Sequence, residues 1–67
     1  MFENRVREFR LKAGLSQVEL ARKARIAESN LSAIEHRRLM AWPRARRALA
    51  RVLKTTVEEL FPNNEVK

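Results

Sequence analysis

The sequence predicts an all-helical protein with one small domain. Its 67 residues include a single Gly and two Pro, while Arg, Leu, Ala and Glu are abundant, and this composition favours helices. No segment shows the strict apolar–polar alternation of a half-buried strand. Ser/Thr-x-x-Glu sequences at residues 16–19 and 56–59 mark helix starts. A chain this short buries only about 60% of its unfolded surface, so we expect one core and no second, ligand-sensing domain.

The first helix is predicted at about residues 3–13. Phe2, Val6 and Phe9 follow one another at spacings of four and three, which places them on one helical face. Gly14 stands where a left-handed residue ends many helices, so we expect the helix to stop there.

The second helix begins after Ser16. Ser16 and Glu19 have the spacing of a capping box, in which the Ser oxygen accepts from a free amide and the Glu side chain reaches back. Leu15, just before the cap, can pack on Leu20 as a hydrophobic staple. We expect this helix to end near Ala24.

A turn at residues 25–27 leads into a third helix, predicted at about residues 28–36. Leu31 and Ile34 point inward because they share one side of this helix. The opposite face collects small or polar side chains, namely Glu28, Ser29, Ser32, Ala33 and His36.

A fourth helix is predicted after a loop. Pro43 suits its first position, where the missing amide is not needed. Its apolar stripe consists of Ala45, Ala48, Leu49, Val52 and Leu53. Arg44, Arg47 and Arg51 fall at i, i+3 and i+7 and form one basic row. Arg46, Arg47 and Arg51 could equally form a solvated face.

A short fifth helix follows Thr56. Thr56 and Glu59 have the spacing of a second capping box, and the helix should extend through residues 60–61 before Pro62 stops it. We therefore expect a folded domain at residues 1–61 and a polar tail at residues 62–67.

The charge distribution points to an anionic partner. The chain carries 15 Lys or Arg side chains against 8 acidic ones, a net charge of +7, and most of the cations are Arg. Residues 36–57 contain seven of these cations and no acidic residue. Because Arg pairs bidentately with phosphate and with guanine edges, the pattern favours nucleic acid. A generic basic surface that promotes solubility is the alternative.

Composition argues against several other classes. The absence of Cys excludes disulfides and thiolate metal sites and suits a reducing cytoplasm. With no Asp or Tyr, one His and no glycine-rich phosphate loop, we expect neither an enzyme nor a metal or cofactor site. No apolar run suggests a signal peptide or membrane span, and the basic fourth helix lacks the bulky aromatic face of membrane-surface helices. We expect a cytoplasmic location.

Several segments, in this order and spacing, resemble the phage repressor and Cro family of helix-turn-helix regulators, also known as the XRE family. They are GLSQVELA at residues 14–21, Ile26 followed by SNLSAIE at 29–35, LARVL at 49–53 and TVEELF at 56–61. The resemblance covers about residues 5–61. It implies a compact, five-helix, lambda-repressor-like domain whose second helix crosses the DNA backbone while the third lies in the major groove.

The resemblance also implies a partly buried ion pair between Arg10 and Glu35. Three positions depart from the family pattern. The usual Gly of the interhelical turn is Arg25, which we expect in a left-handed conformation at a cost on the order of 1 kcal/mol. The usual Asn-Gly after the third helix is replaced by Arg37 and Arg38. The usual Gly before the last helix is Lys54.

We expect the third helix to read DNA bases. Small side chains there allow close approach to the groove, Ala33 could meet a thymine methyl group, and Ser29 or Ser32 could bond several base edges. Glu28 could accept from a cytosine amine or merely complement the positive end of its helix.

Phosphates should supply most of the affinity. Gln17 begins the second helix, whose amides and dipole favour a phosphate, and family resemblance places it on the backbone too. Asn30 is a further expected backbone contact, and the resemblance implies phosphate contacts for Arg37 and Arg38. The resemblance makes Arg44 another, with the minor groove as one possibility.

The resemblance places a dimer interface at Thr55, Thr56 and Val57. Met40 and Trp42 either cover the edge of the core or add to that contact. The sequence thus predicts a homodimeric regulator, with repression through an inverted-repeat operator as its mode of action and double-stranded DNA as its partner. An antitoxin or another protein-interaction module, with a toxin or other protein as partner, is the alternative. We expect no small-molecule ligand.

Overall fold

The computed structural model describes residues 3–62, which form five α-helices. They are α1 Val6–Lys12, α2 Gln17–Ala24, α3 Glu28–Glu35, α4 Pro43–Val52 and α5 Val57–Leu60. No strand occurs in this described part of the chain, so the all-helical prediction is confirmed. Phe2 and the tail after Pro62 lie outside the described residues.

The core lies where α2 packs on α3 and α4, and α4 packs on α5. Leu31 and Ile34 of α3 are fully buried, as their spacing predicts. The predicted stripe of α4 also faces inward, with Val52 only partly buried. The largest fully buried side chains are Phe61, Leu20, Leu31, Ile34, Leu49, Leu60 and Val6.

The two predicted capping boxes differ in outcome. At α2 the box is complete, because Ser16 Oγ accepts from the Glu19 amide at 3.1 Å and the Ser16 amide donates to Glu19 Oε1 at 2.8 Å. At α5 only half of the prediction holds. Thr56 Oγ1 accepts from the Glu59 amide at 3.1 Å, but the Glu59 carboxylate instead accepts from the Thr55 hydroxyl at 3.0 Å.

The first helix begins at Val6, three residues later than predicted. The cause is long-range hydrogen bonding by the two preceding residues. Asn4 Nδ2 donates to the Ile34 carbonyl at 2.8 Å, and its Oδ1 accepts from the Val6 amide at 3.1 Å. The Arg5 amide donates to the Leu60 carbonyl at 2.8 Å. These bonds fasten the start of α1 to the end of α3 and to α5.

Four helices end on a left-handed residue with the same pair of backbone hydrogen bonds. At the end of α2, the Arg25 amide donates to Arg22 and the Ile26 amide donates to Ala21, at 3.2 and 2.9 Å. The four left-handed residues, with φ between 57° and 73°, are Gly14, Arg25, Arg37 and Lys54. The left-handed conformation predicted for Arg25 is confirmed. Arg37 and Lys54 keep this geometry without Gly.

The loop before α4 is held by a side chain for which a solvated face was one of the alternatives. Arg46 is half-buried, and its Nη1 donates to the Ala41 carbonyl at 2.8 Å, so Arg46 is not part of a solvated face. Trp42 packs partly on the core, whereas Met40 is 47% exposed. Within residues 3–62, no helix has both the length and the apolar character needed to cross a membrane.

Candidate nucleic-acid interface

The outward face of α3 carries the four side chains predicted to read bases. Glu28 and Ser29 are exposed, and Ser32 and Ala33 are half-buried. Three of these four side chains are small, so α3 can approach a flat or concave partner closely. The residues behind this face are fully buried, which fixes the direction in which the helix points.

The turn before α3 sets the angle between α2 and α3. Arg25 reverses the chain in its left-handed conformation, and Ile26 then enters the core at 7% exposure. Ala27 precedes α3 without a side-chain cap, so none of the first α3 amides is satisfied by a capping side chain. Asn30, expected near the DNA backbone, is half-buried on this helix.

Arg10 and Glu35 form the ion pair that the family resemblance implied. Arg10 Nε lies 2.7 Å from Glu35 Oε2, and Nη2 lies 3.2 Å from Oε1, a bidentate geometry. Their side chains are 10% and 1% exposed. Arg10 Nη1 also donates to the Leu15 carbonyl at 2.9 Å, so one guanidinium joins α1, the start of α2 and the end of α3.

Gln17 is tied to the same carboxylate. Its Nε2 donates to Glu35 Oε1 at 3.0 Å, and the side chain is half-buried rather than free in solvent. The amide nitrogen carries a second hydrogen that can still be donated to a phosphate. As the first residue of α2, Gln17 also presents its backbone amide at the positive end of the helix dipole.

The predicted basic contacts after α3 are exposed. Arg37, Arg38 and Arg44 form no ion pair with any acidic side chain in the described part of the chain. Arg37 occupies the left-handed position that ends α3, and Arg44 is the second residue of α4. Because no protein carboxylate neutralises these charges, they remain available to phosphates.

The predicted dimer segment forms the turn between α4 and α5. Thr55 and Val57 are half-buried, Thr56 is exposed, and Val57 packs partly on the core. All three residues therefore support the fold of the single chain as well, because Thr55 and Thr56 also hydrogen-bond to Glu59. Among residues 3–62, no group of three or more His, Cys, Asp or Glu side chains could hold a metal ion.

Sequence reasoning missed two residues near this surface. Asn4 joins the start of α1 to the end of α3, and an Asn just before an apolar-periodic segment is a recognised cap signal. Arg7 lies beside the Arg10–Glu35 pair, lining two clefts that Glu35 also lines. Its spacing of three from Arg10 was the available signal, because such residues share one helical face.

Residues 4–61 match the protein family described as "Helix-turn-helix domain". Among solved structures, the chain is similar to one titled "SinR protein/SinI protein complex", with a TM-score of 0.83 and 30% sequence identity. The similarity covers 97% of this chain and 64% of the matched chain, so this chain spans less than two thirds of that length. No curated protein matches the sequence.

Proposed function

Because the chain belongs to the Cro and phage repressor-type helix-turn-helix family of DNA-binding transcription regulators, we propose that it is a non-enzymatic repressor. It acts in the cytoplasm and binds double-stranded DNA with α3 in the major groove. The observation that carries the proposal is the outward face of α3, which has small side chains, a fully buried opposite side and unpaired Arg residues after its end.

Sequence choice comes from the exposed side of α3. The hydroxyl groups of Ser29 and Ser32 donate to or accept from base edges, and Ala33 contacts a thymine methyl group. Glu28 accepts from a cytosine amine at the entry of the helix into the groove. These short side chains reach only the nearest base edges, so α3 must lie deep in the groove.

Affinity comes from contacts to the phosphates. Gln17 uses its backbone amide and its second side-chain hydrogen, while Asn30 contacts the backbone beside α3. Arg37 and Arg38 hold the strand after the recognition helix, and Arg44 lies on the backbone at the edge of the minor groove. Each cation that neutralises a phosphate adds about 0.9 to the slope of log K against log salt.

The repressor acts as a homodimer on an inverted repeat. Thr55, Thr56 and Val57 form the contact around a two-fold axis, where the same patch of each copy meets the other. Half-sites then lie about one helical turn, roughly 34 Å, apart. Occupancy of such a site within a promoter blocks transcription.

Selection of bound fragments from random duplex DNA, followed by sequencing, tests this function. We expect an enriched inverted repeat and an affinity that falls steeply with salt. A folded sample without salt-sensitive binding to any duplex contradicts the proposal. Enrichment of a single half-site would retain DNA binding and reject the dimer.

A second proposed role is binding to a protein partner, either a toxin or another protein. One observation favours it, since the similar solved structure is titled as a complex of SinR protein with SinI protein. Co-purification from the native host separates the two roles. A stoichiometric partner that competes with duplex DNA supports the second role, and its absence rejects it.

A further inference from the structure

Arg7 lines two clefts between α1 and the end of α3. The first cleft, of about 570 Å³, is lined by Arg7 together with Arg5, Arg37 and Glu35. The second, of about 350 Å³, is lined by Arg7 together with Arg10, Gln17, Glu35 and His36. One exposed Arg residue therefore borders both spaces.

The acidic groups of these clefts are already occupied. Glu35 accepts from both Arg10 and Gln17, and the Glu8 carboxylate at the first cleft is bonded by Arg5 at 3.2 Å. The Arg7 side chain has neither a hydrogen bond nor an ion pair with any residue in the 3–62 range. Its charge is uncompensated within the described chain, although a carboxylate lies in each cleft.

The position of Arg7 relates it to the DNA surface. Gln17 borders one cleft and Arg37 borders the other, and both are proposed backbone contacts. Because Arg7 lines both clefts, a DNA strand that contacts Gln17 and Arg37 also comes close to Arg7. The second cleft also holds His36, whose Nδ1 lies 2.8 Å from the Ser32 carbonyl, so the ring is fixed at its rim.

We propose that Arg7 is a further phosphate-binding residue, placed on α1, which receives a phosphodiester of duplex DNA between the Gln17 and Arg37 contacts. This assignment rests on the proposed function. It extends the DNA surface from the helix-turn-helix onto α1. Because the guanidinium contacts the backbone and no base, Arg7 adds affinity without sequence preference.

The test compares Arg7→Ala with Lys12→Ala in duplex binding at several salt concentrations. Lys12 is the control because it lies on the same helix, carries the same charge, is 70% exposed and lines neither cleft, although its Nζ, unlike the Arg7 guanidinium, lies 3.7 Å from a Glu8 carboxylate oxygen. We expect Arg7→Ala to lower the salt slope by about 0.9, which makes the change in Kd between 50 and 200 mM salt roughly threefold smaller. The loss should be equal on operator and random duplex, and Lys12→Ala should leave the slope unchanged.

The possible outcomes distinguish a failure of the Arg7 assignment from a failure of the proposed function. If the wild-type chain binds no duplex, the proposed function fails and the Arg7 assignment fails with it. If the wild type binds and Arg7→Ala keeps its slope, or Lys12→Ala loses as much, only the Arg7 assignment is overturned. The last experiment is a titration of the protein with inorganic phosphate alone, monitored through the NMR signal of the Arg7 side chain. Saturation there together with an unchanged duplex slope would assign the clefts to free phosphate and overturn the proposal.

Discussion

At the scale of single residues, Glu35 holds together three parts of the fold. It accepts hydrogen bonds from Arg10 of α1 and Gln17 of α2, and it lies at the end of α3. Its side chain is only 1% exposed, so the charge is removed from water and depends on those donors. The same group orients Gln17, so a structural ion pair also positions a proposed DNA contact.

Replacement of one member of this pair should be costly. We expect Glu35→Gln to lower the free energy of unfolding by about 3–5 kcal/mol, because Arg10 stays buried without a counter-charge. Urea denaturation followed by circular dichroism measures the change. Glu8→Gln is the control, since the Arg5–Glu8 pair is about half exposed and its loss should have a much smaller effect. Equal effects of the two substitutions would show that burial of the pair is unimportant.

Ser29 and Arg38 should have different kinds of effect on DNA binding. We expect Ser29→Ala to change the preferred operator sequence. The free-energy difference between operator variants should change by up to about 1–3 kcal/mol, with little effect on binding to random duplex. Arg38→Ala should weaken binding to all sequences and lower the salt slope by about 0.9. Binding isotherms on operator and random duplex at several salt concentrations distinguish the two. Similar losses for Ser29→Ala on both duplexes would remove it from the base-reading surface.

At the scale of elements, three helix ends carry a cation where Gly would be less strained. A left-handed L-residue costs roughly 1–2 kcal/mol, whereas a cation at a helix C-terminus recovers about 0.3–1 kcal/mol from the helix dipole. The residues are Arg25, Arg37 and Lys54, with φ of 58°, 63° and 57°. These three turns therefore carry positive charge at the cost of local backbone strain.

Substitution of Gly at two of these helix ends should affect protein stability and DNA binding differently. We expect Lys54→Gly to raise the free energy of unfolding by roughly 0.5–1 kcal/mol, because relief of strain exceeds the entropy that Gly adds to the unfolded chain. Arg37→Gly should stabilise similarly and yet bind duplex DNA more weakly. Thermal unfolding and DNA titration measure the two effects. Lys54→Ala keeps the Cβ atom and should give no gain, and a gain there would reject strain as the cause.

The capping box of α2 should make stability depend on pH. The Ser16 backbone amide donates to the Glu19 carboxylate and lowers the pKa of Glu19 below its ordinary value of 4.5. A carboxyl group with a lowered pKa stabilises the fold above its ordinary value, and this contribution is lost as the pH falls through the lowered value. We therefore expect wild type to have a higher Tm than Glu19→Gln at neutral pH, and the two Tm values to converge at acidic pH.

The control for this pH dependence is Glu58→Gln. The Glu58 side chain is exposed and makes no hydrogen bond or ion pair within the described chain, so its substitution should produce a smaller Tm difference. If the Tm difference between wild type and Glu19→Gln stays constant down to strongly acidic pH, the charge of the Glu19 carboxylate does not cause that difference.

Local patterns predicted the elements well because their causes are local. The spacing of Leu31 and Ile34 fixed the inward face of α3, and Ser16 fixed the start of α2. The start of α1 was wrong because Asn4 bonds to a carbonyl 30 residues away, which no local pattern contains. For the same reason, the sequence identified the outward side of α3 but did not reveal that Gln17 is tied to Glu35.

At the scale of the whole molecule, the core is small and rich in Ala. Six of its buried residues are Ala, and Leu49 is among the few large ones that are fully buried. A chain of 67 residues at roughly 0.05–0.15 kcal/mol per residue has about 3–10 kcal/mol of stability. Any ligand of the folded state therefore shifts its population measurably.

Duplex DNA should rescue a core defect. We expect Leu49→Ala to lose about 2–5 kcal/mol, which unfolds a large fraction of the protein. Operator duplex at 100 times its Kd should restore about 2.7 kcal/mol. Thermal unfolding with and without duplex measures the rescue, and Leu11→Ala, at a residue 57% exposed, is the control. If duplex leaves the Tm of Leu49→Ala unchanged, DNA does not bind the folded state selectively.

The hydrogen bond of 2.8 Å between the Arg5 amide and the Leu60 carbonyl brings the two limits of the domain side by side. A short peptide could join them into a closed ring, and the ring could be cut again at Met40, which is 47% exposed. The resulting circular permutant would begin with α4 and end with α3. Polypeptides fused before Arg5 and after Leu60 would leave the domain from the same side. The fold is therefore suited to insertion as a domain within longer regulators.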